Sequence, residues 1–264
     1  MRFQDISLPP PGSRSITKAF LLAGGLGTRL KPLTDRVPKC LVPVNGAPML
    51  SIWLGICEEL GIREVLINTH HLADQVEAWA ARQVTSPIRI HLVHEPELLG
   101  SAGTVAANMD FVKDEDDFFV FYADNLVHTD FDALKVFHQS HNSPLTVALF
   151  HTPRPWNCGI ASLDSHSRIT CFEEKPAHPQ SDLANAGVYV GRRQLYRFLP
   201  RQGFADFATD IFPQLIGEMR GFVISGDVLD VGTPENYEET LREWPLLTGK
   251  PVKDKRPTAP KGQL

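Results

Sequence analysis

From Ala23 to Leu30 the chain reads Ala-Gly-Gly-Leu-Gly-Thr-Arg-Leu, and Lys31, Arg36 and Lys39 follow closely. Glycines let backbone N–H groups approach an anion, and four cations (Arg29, Lys31, Arg36, Lys39) within eleven residues supply countercharge. This is the chemistry of a polyphosphate site. The bland alternative, a tight turn with a solvated basic face, is weakened by the clustering of the cations. Two common phosphate signatures fail: G-x-G-x-x-G begun at Gly25 meets Leu30 where glycine is required, and no G-x-x-x-x-G-K-[ST] run occurs. A nicotinamide dehydrogenase and a P-loop NTPase are therefore disfavoured.

Carboxylates recur farther along. Asp124 closes the apolar run Phe118 to Tyr122, and Asp230 stands just ahead of Gly232. Alone, each reads as a turn former; brought to one sheet edge, the two would suit Mg²⁺, which takes oxygen ligands and keeps phosphate oxygens and water in its shell. Glu174 and Lys175, read in isolation, are a solvated charged turn. Ten histidines raise the question of zinc. However, His70 and His71, like His91 and His94, point to opposite faces of an extended chain, and no C-x-x-C or H-E-x-x-H accompanies them.

The elements that must carry these residues alternate. Strand-like runs at Lys18 to Leu22, Glu64 to Asn68, Ile88 to Val93 and Phe118 to Tyr122 are separated by helix-period segments at Met49 to Leu60 and Leu72 to Arg82. Gly61 is placed as a helix C-cap, and Pro234 as the start of a helix through Tyr237 and Leu241. Leu145 to Phe150, Gly159 to Leu163, Ile169 to Phe172 and Ala186 to Val190 then follow with few helical windows, as extra strands, some antiparallel. The expected fold class is α/β, a mostly parallel mixed central sheet covered by helices.

One catalytic domain is expected over 16–248. Residues 1–15 read as a flexible tail, and 249–264 as a flexible, basic, Pro-rich one. With 26 Lys and Arg against 31 Asp and Glu, a net charge of −5 disfavours a global nucleic-acid surface, so anionic ligands must be held locally. No apolar stretch reaches membrane-helix length, and the proline-broken N-terminus lacks a signal-peptide core, which points to a soluble, cytoplasmic protein without membrane partners. Cys40, Cys57, Cys158 and Cys171 form no C-x-x-C pair and fit reduced packing thiols.

Taken in order, LAGGLGTRLKPLT (Leu22 to Thr34), PKCLVPV (Pro38 to Val44), GSAGTV (Gly100 to Val105), FYADNLV (Phe121 to Val127), EEKP (Glu173 to Pro176), NAGVYV (Asn185 to Val190) and DVGTPENY (Asp230 to Tyr237) resemble the blocks of the sugar-1-phosphate nucleotidylyltransferases. The resemblance covers roughly residues 16–245. It implies a Rossmann-like three-layer α/β/α sandwich, and transfer of a nucleoside monophosphate from an NTP to a sugar 1-phosphate with release of pyrophosphate. It also implies that Leu22, Ala23, Gly24, Gly25, Gly27, Thr28, Gly100, Ala102 and Gly103 cradle the nucleotide. Arg29 falls at the leaving end of the triphosphate and Lys39 beside the phosphates in transfer, so the implied catalytic set is Arg29, Lys39 and Asp124. Asp124 and Asp230 would hold Mg²⁺; Asn125, Gly159, Glu174, Lys175 and Asn185 would hold the sugar phosphate. This chain has Ala123-Asp124 where the family usually has Gly-Asp. No hexapeptide repeat builds a C-terminal β-helix, which some relatives append.

Glu95 stands where thymidylyl and uridylyl relatives carry a base-reading glutamine. A carboxylate only accepts hydrogen bonds and would match the adjacent N1–H and N2–H₂ donors of guanine, which favours GTP, with a mannose- or heptose-type sugar 1-phosphate. Alternatives are a uridylyl- or thymidylyltransferase acting on glucose 1-phosphate or an amino-sugar 1-phosphate, a phospho-alcohol acceptor, and a non-catalytic nucleotide-sugar-binding subunit. A homo-oligomer is left open.

Overall fold

The computed structural model describes residues 15–248, so the two expected tails lie outside the described residues apart from Ser15. In chain order the elements are β1 (Lys18–Leu22), β2 (Pro43–Val44), β3 (Ala47–Pro48), α1 (Met49–Glu59), β4 (Glu64–Thr69), α2 (Ala73–Ala80), β5 (Arg89–His94), α3 (Gly100–Ala107), β6 (Asp117–Tyr122), β7 (Asn125–His128), α4 (Phe131–Gln139), β8 (Leu145–His151), β9 (Gly159–Leu163), β10 (Ile169–Glu174), β11 (Leu183–Arg192), β12 (Arg220–Val223), β13 (Asp227–Asp230) and α5 (Pro234–Thr248). No described helix is long and apolar enough to cross a membrane.

Nine strands form one sheet in the order β10-β9-β11-β6-β1-β4-β5, with β8 beside β11 and β12 beside β8. β1 lies parallel between β6 and β4, and β4 parallel to β5, whereas β11 runs antiparallel to β6, β8 and β9. The parallel centre is buried on both faces, which is why its strands read as continuous apolar runs. Along β1, Ala19 and Leu21 face one core and Phe20 the other. The first core is covered by α1, α2, α4 and α5 through Trp53, Trp79, Leu134 and Trp244; the second is covered by α3 and the turns around Phe207, Ile211 and Phe212. The expected three-layer α/β/α arrangement is what the chain forms.

β11 changes partners midway. Leu183 and Ala184 pair with β9, Val188 to Arg192 pair with β6, and the register against β8 shifts between Asn185 and Tyr189. Gly187, at φ 69°, sits in that shift; a Cβ there would lie 3.1 Å from Tyr122 Cβ, in a backbone region that L side chains avoid. The bulge turns Asn185 and Ala186 toward the end of β6, where Asn125 Nδ2 donates to the Ala186 carbonyl at 2.8 Å.

A polar cluster closes the opposite end of β6. Arg192 Nε donates to Asp117 Oδ1 at 3.0 Å, His138 Nδ1 meets Thr146 Oγ1 at 2.7 Å, and His138 Nε2 faces Asp117 Oδ1 at 3.4 Å. Burial first, and then the charge of His138, push the His141 imidazole down to about 4; burial likewise holds His138 below its ordinary value. Both are neutral in the fold at pH 7 and both reach about 6.5 once unfolded, so the unfolded chain binds more protons below that pH. Stability is accordingly full above about pH 6.5 and is lost as pH falls toward 4. We expect the urea midpoint to drop between pH 7 and 5, and to drop less in His141→Gln; a wild-type midpoint unchanged over that range would rule out the neutral cluster.

Candidate active site

The functional side chains gather where the parallel strands end, the edge at which open α/β sheets bind ligands. Leu22 and Tyr122 are register partners on β1 and β6, and Ala123 N–H donates to the Leu22 carbonyl at 3.0 Å, so the glycine-rich turn and Asp124 leave the sheet side by side. Within the turn the glycines divide their tasks. Gly27 has φ 62° and lies so close to Thr34 and Lys39 that a Cβ would be 2.8 Å from Thr34 Cγ2 and 3.2 Å from Lys39 Cβ. Gly24 is pressed against Asn68, whereas a Cβ on Gly25 would meet nothing within 4 Å, so Gly25 is the glycine that faces open space. Leu22 and Ala23 are half-buried; Thr28 and Arg29 are exposed.

Lys39 is 6% exposed, and its Nζ lies 2.9 Å from Asp124 Oδ2. Asp124 is followed by β7, which pairs antiparallel with β13 so that Asn125 lies opposite Asp230. This two-stranded ribbon brings together two aspartates that are far apart in the sequence. Asp230 Oδ2 accepts from Asn236 Nδ2 at 2.9 Å, and both its oxygens surround Gly232, where a Cβ would lie 2.8 Å from each and 3.1 Å from Arg29 Nη2. Arg29, Lys39, Asp124 and Asp230 thus share one end of the cleft. Two hard carboxylates with free lone pairs, beside cations that attract phosphate, fit Mg²⁺, whose remaining ligands would be phosphate oxygens and water. No group of three His, Cys, Asp or Glu side chains placed to hold a metal occurs among the described residues.

Across the cleft, Glu174 is the register partner of Gly159, and a Cβ at Gly159 would sit 2.7 Å from Glu174 Oε2. Lys175, at φ 49°, donates its N–H to the Cys158 carbonyl at 3.0 Å, and its Nζ lies 3.7 Å from Glu174 Oε1. Burial raises the Cys158 thiol, opposed first by a hydrogen bond with Thr152; the charges of Asp230 and Glu174 add to the rise and that of Lys175 works against it. Asn125 Oδ1 is buried and has no partner among the described residues, an acceptor left open beside Asp124.

Two sequence expectations need correction. Glu95 does not present its carboxylate to a base: it is 2% exposed, Oε1 accepts from Thr104 Oγ1 at 2.6 Å, and Oε2 accepts from Leu99 N–H at 3.2 Å. A buried carboxylate must be hydrogen-bonded, and the start of α3 supplies donors next to it. Nor is the N-terminus of α3 free for a nucleotide. Ala102 and Gly103 are buried, both N–H groups donating to the Ala205 carbonyl at 2.9 Å, while Ser101 N–H donates to Asp206 Oδ1 at 3.0 Å. Gly100 is half-buried and packs closely on the backbone of Ala205.

Sequence reading missed Asn68. Its Oδ1 accepts the Ala23 N–H at 2.7 Å, and its Nδ2 donates at 3.3 Å to Thr104 Oγ1, which donates onward to Glu95. The glycine-rich turn is thereby tied across β4 to β5 and α3. The only available signal was a polar residue ending an apolar strand.

The nucleotidyl transferase family profile matches residues 18–244, and the chain belongs to that family. Within it, the chain is 30% identical over 266 residues to the mannose-1-phosphate guanylyltransferase catalytic subunit beta of Danio rerio, covering 93% of this chain and 73% of that protein. It is 36% identical over 234 residues to the glucose-1-phosphate thymidylyltransferase of Streptomyces griseus, covering 85% and 65% respectively. Such relatives bear out the resemblance to sugar-1-phosphate nucleotidylyltransferases. The chain spans between 62% and 73% of the length of these and similar curated relatives. The fold matches HddC from Yersinia pseudotuberculosis with a TM-score of 0.75 at 23% identity, over 87% of this chain and 100% of that one.

If Glu95 is an internal anchor, Glu95→Gln should cost about 1–3 kcal/mol of stability, because an amide N–H₂ would face a donor. The ratio of kcat/KM for GTP over dTTP should stay within about twofold of wild type, well under 1 kcal/mol. A tenfold change in that ratio with unchanged stability would restore Glu95 to the base.

Proposed function

We propose that the protein transfers a nucleoside monophosphate from an NTP to a sugar 1-phosphate. A phosphate oxygen of the sugar 1-phosphate attacks the α-phosphorus, a new P–O bond forms, and the bond from the α-phosphorus to the oxygen bridging to the β-phosphate breaks, releasing pyrophosphate. The observation that carries this reading is the convergence of Arg29, Lys39, Asp124 and Asp230 beside the open face of Gly25.

Two polyanions repel, so positioning and countercharge supply most of the rate. The turn of Gly25 and Gly27 receives the triphosphate, with Arg29 toward the leaving pyrophosphate. Lys39, fixed by Asp124, stands at the phosphates in transfer. Asp124 and Asp230 would hold Mg²⁺, which supplies further countercharge when bound. Glu174 faces sugar hydroxyls, Lys175 the sugar phosphate, and Asn125, Gly159 and Asn185 complete the acceptor side.

GTP and a mannose-type 1-phosphate are the favoured pair. With Glu95 withdrawn, that preference rests on the similarity to mannose-1-phosphate guanylyltransferases of Danio rerio and Mycobacterium tuberculosis. A thymidylyl or uridylyl transfer to glucose 1-phosphate is the second reading, favoured by the 36% identity to the Streptomyces griseus enzyme. Free cysteines and substrates of this kind fit a cytoplasmic setting.

Pyrophosphate release across a matrix of NTPs and sugar 1-phosphates tests the reading directly, and no release with any pair would end it. Asp124→Asn and Asp230→Asn should each lower kcat/KM by roughly 10²–10³, since each removes charge acting on the transition state; the melting temperature should move little in Asp230→Asn and fall in Asp124→Asn, which leaves the enclosed Lys39 without its partner charge. Lys175→Ala should mainly raise the KM of the sugar 1-phosphate, and an unchanged KM would demote Lys175 to a surface residue.

A further inference from the structure

Beneath the acceptor side a fully buried phenol meets one of its amides. Asn185 Nδ2 donates to Tyr189 Oη at 2.8 Å. The Tyr189 ring is held by three others, edge to face on Tyr122 at 5.5 Å between centroids, on Phe207 at 5.2 Å and on Phe212 at 5.6 Å, and Tyr189 is fully buried.

The orientation of the amide is fixed. Gly187 N–H donates to Asn185 Oδ1 at 3.0 Å, which identifies the amide oxygen and leaves Nδ2 to face Tyr189. Burial, first among the causes, pushes the Tyr189 phenol well above its ordinary value, so its O–H is kept at any working pH. A hydrogen bond between such groups in a low-dielectric interior is strong when made and costly to break.

We propose that Tyr189 is a positioning residue for the acceptor: with the Gly187 N–H it holds the Asn185 amide in one plane, so that its second N–H and the second lone pair of its oxygen stay directed at the sugar 1-phosphate. This rests on the reading of Asn185 as an acceptor contact. Tyr189 does not touch substrate; it acts through Asn185. The carbonyl of Ala186, next in the chain, holds Asn125 Nδ2, so the bulge at Gly187 places both asparagines of the acceptor side on the same support.

The test measures KM for mannose 1-phosphate and for GTP by pyrophosphate release, with calorimetric binding of mannose 1-phosphate as an arm that needs no turnover. Wild type, Asn185→Ala, Tyr189→Phe and the double variant Asn185→Ala/Tyr189→Phe are compared. Loss of one buried hydrogen bond corresponds to about tenfold in affinity. Tyr189→Phe should weaken acceptor binding by about that factor, with the GTP KM within about twofold and the melting temperature showing that the fold persists. The double variant should bind acceptor no more weakly than Asn185→Ala alone, because the tyrosine acts only through the amide.

The proposal is overturned if Tyr189→Phe leaves acceptor binding unchanged, if it raises both KM values alike, or if it weakens binding further in the absence of the Asn185 amide. Unchanged acceptor binding in Asn185→Ala, with wild type active, removes the premise and the proposal together. A wild type that binds the acceptor but releases no pyrophosphate with any NTP defeats the transferase reading alone, and the calorimetric comparison still decides Tyr189.

Discussion

A lysine that retains 6% of its exposure needs a partner, and Lys39 has Asp124 at 2.9 Å. Removing one member of a fully buried pair costs about 3–5 kcal/mol, whereas an exposed pair contributes about 0–1 kcal/mol. The Asp124 side chain is 47% exposed, so this pair lies between those limits: the cation is enclosed and the anion opens into the cleft. That asymmetry joins the segment after the glycine-rich turn to the end of β6 and still leaves one Asp124 oxygen available to a ligand. Nearly every other feature of the site is arranged about this point. Gly27 lacks a side chain where Lys39 passes, β1 and β6 are in register at Leu22 and Tyr122, and the β7–β13 ribbon delivers Asp230.

A turn this rich in glycine has few side chains of its own to hold its shape, and the neighbouring strands supply what it lacks. Asn68 takes the Ala23 N–H, and Thr104 and Glu95 continue the tie to Leu99 at the entry of α3. Residues 205 and 206 then occupy the first N–H groups of α3, which would otherwise lack acceptors. The close packing at Gly100 and Gly103, where a Cβ would sit 2.5 Å from the Ala205 carbonyl oxygen and 2.6 Å from that of Gly203, shows that small residues in this block serve chain-to-chain approach. A motif shared with nucleotide-binding relatives can thus contribute by shaping the cleft from behind.

The parallel half of the sheet was legible because strands buried on both faces are continuous apolar runs, and β1, β4 and β6 fall within a residue of the runs read from sequence. What escaped notice were elements with no periodicity. α3 is Gly-Ser-Ala-Gly-Thr-Val-Ala-Ala, poor in strong helix formers at its start, and its first turn is held by Ala205 and Asp206 from far along the chain. β7 and β13 have four residues each, too short for alternation to register, yet their pairing makes the two-aspartate end of the cleft. Glu95 was misread because a sequence position shows the charge of a side chain and not the direction in which it turns. Burial reverses the meaning of a carboxylate, from a reader of donors on a ligand to an acceptor for donors within the fold.

The two lysines of the cleft illustrate how burial differentiates one residue type. Lys39 is enclosed and oriented before any ligand arrives, so its charge acts at reduced dielectric; at 4 Å a unit pair is worth about 4 kcal/mol near an effective dielectric of 20 and about 1 kcal/mol in water. The Lys175 side chain is 61% exposed, and its 3.7 Å approach to Glu174 is a weak surface pair. It can therefore leave Glu174 at little cost, as the proposed role toward a sugar phosphate requires, while the positive φ of its backbone holds the turn that presents it. On the proposed reading the donor side gains from rigidity, because charge develops there along a fixed line of attack. On the proposed acceptor side the charges are exposed, and orientation is carried by neutral amides held by their neighbours: Asn125 on the Ala186 carbonyl, and Asn185 between Gly187 and Tyr189. Fixed charge on one wall and fixed hydrogen-bond direction on the other are what a cleft requires to align two anions that repel each other.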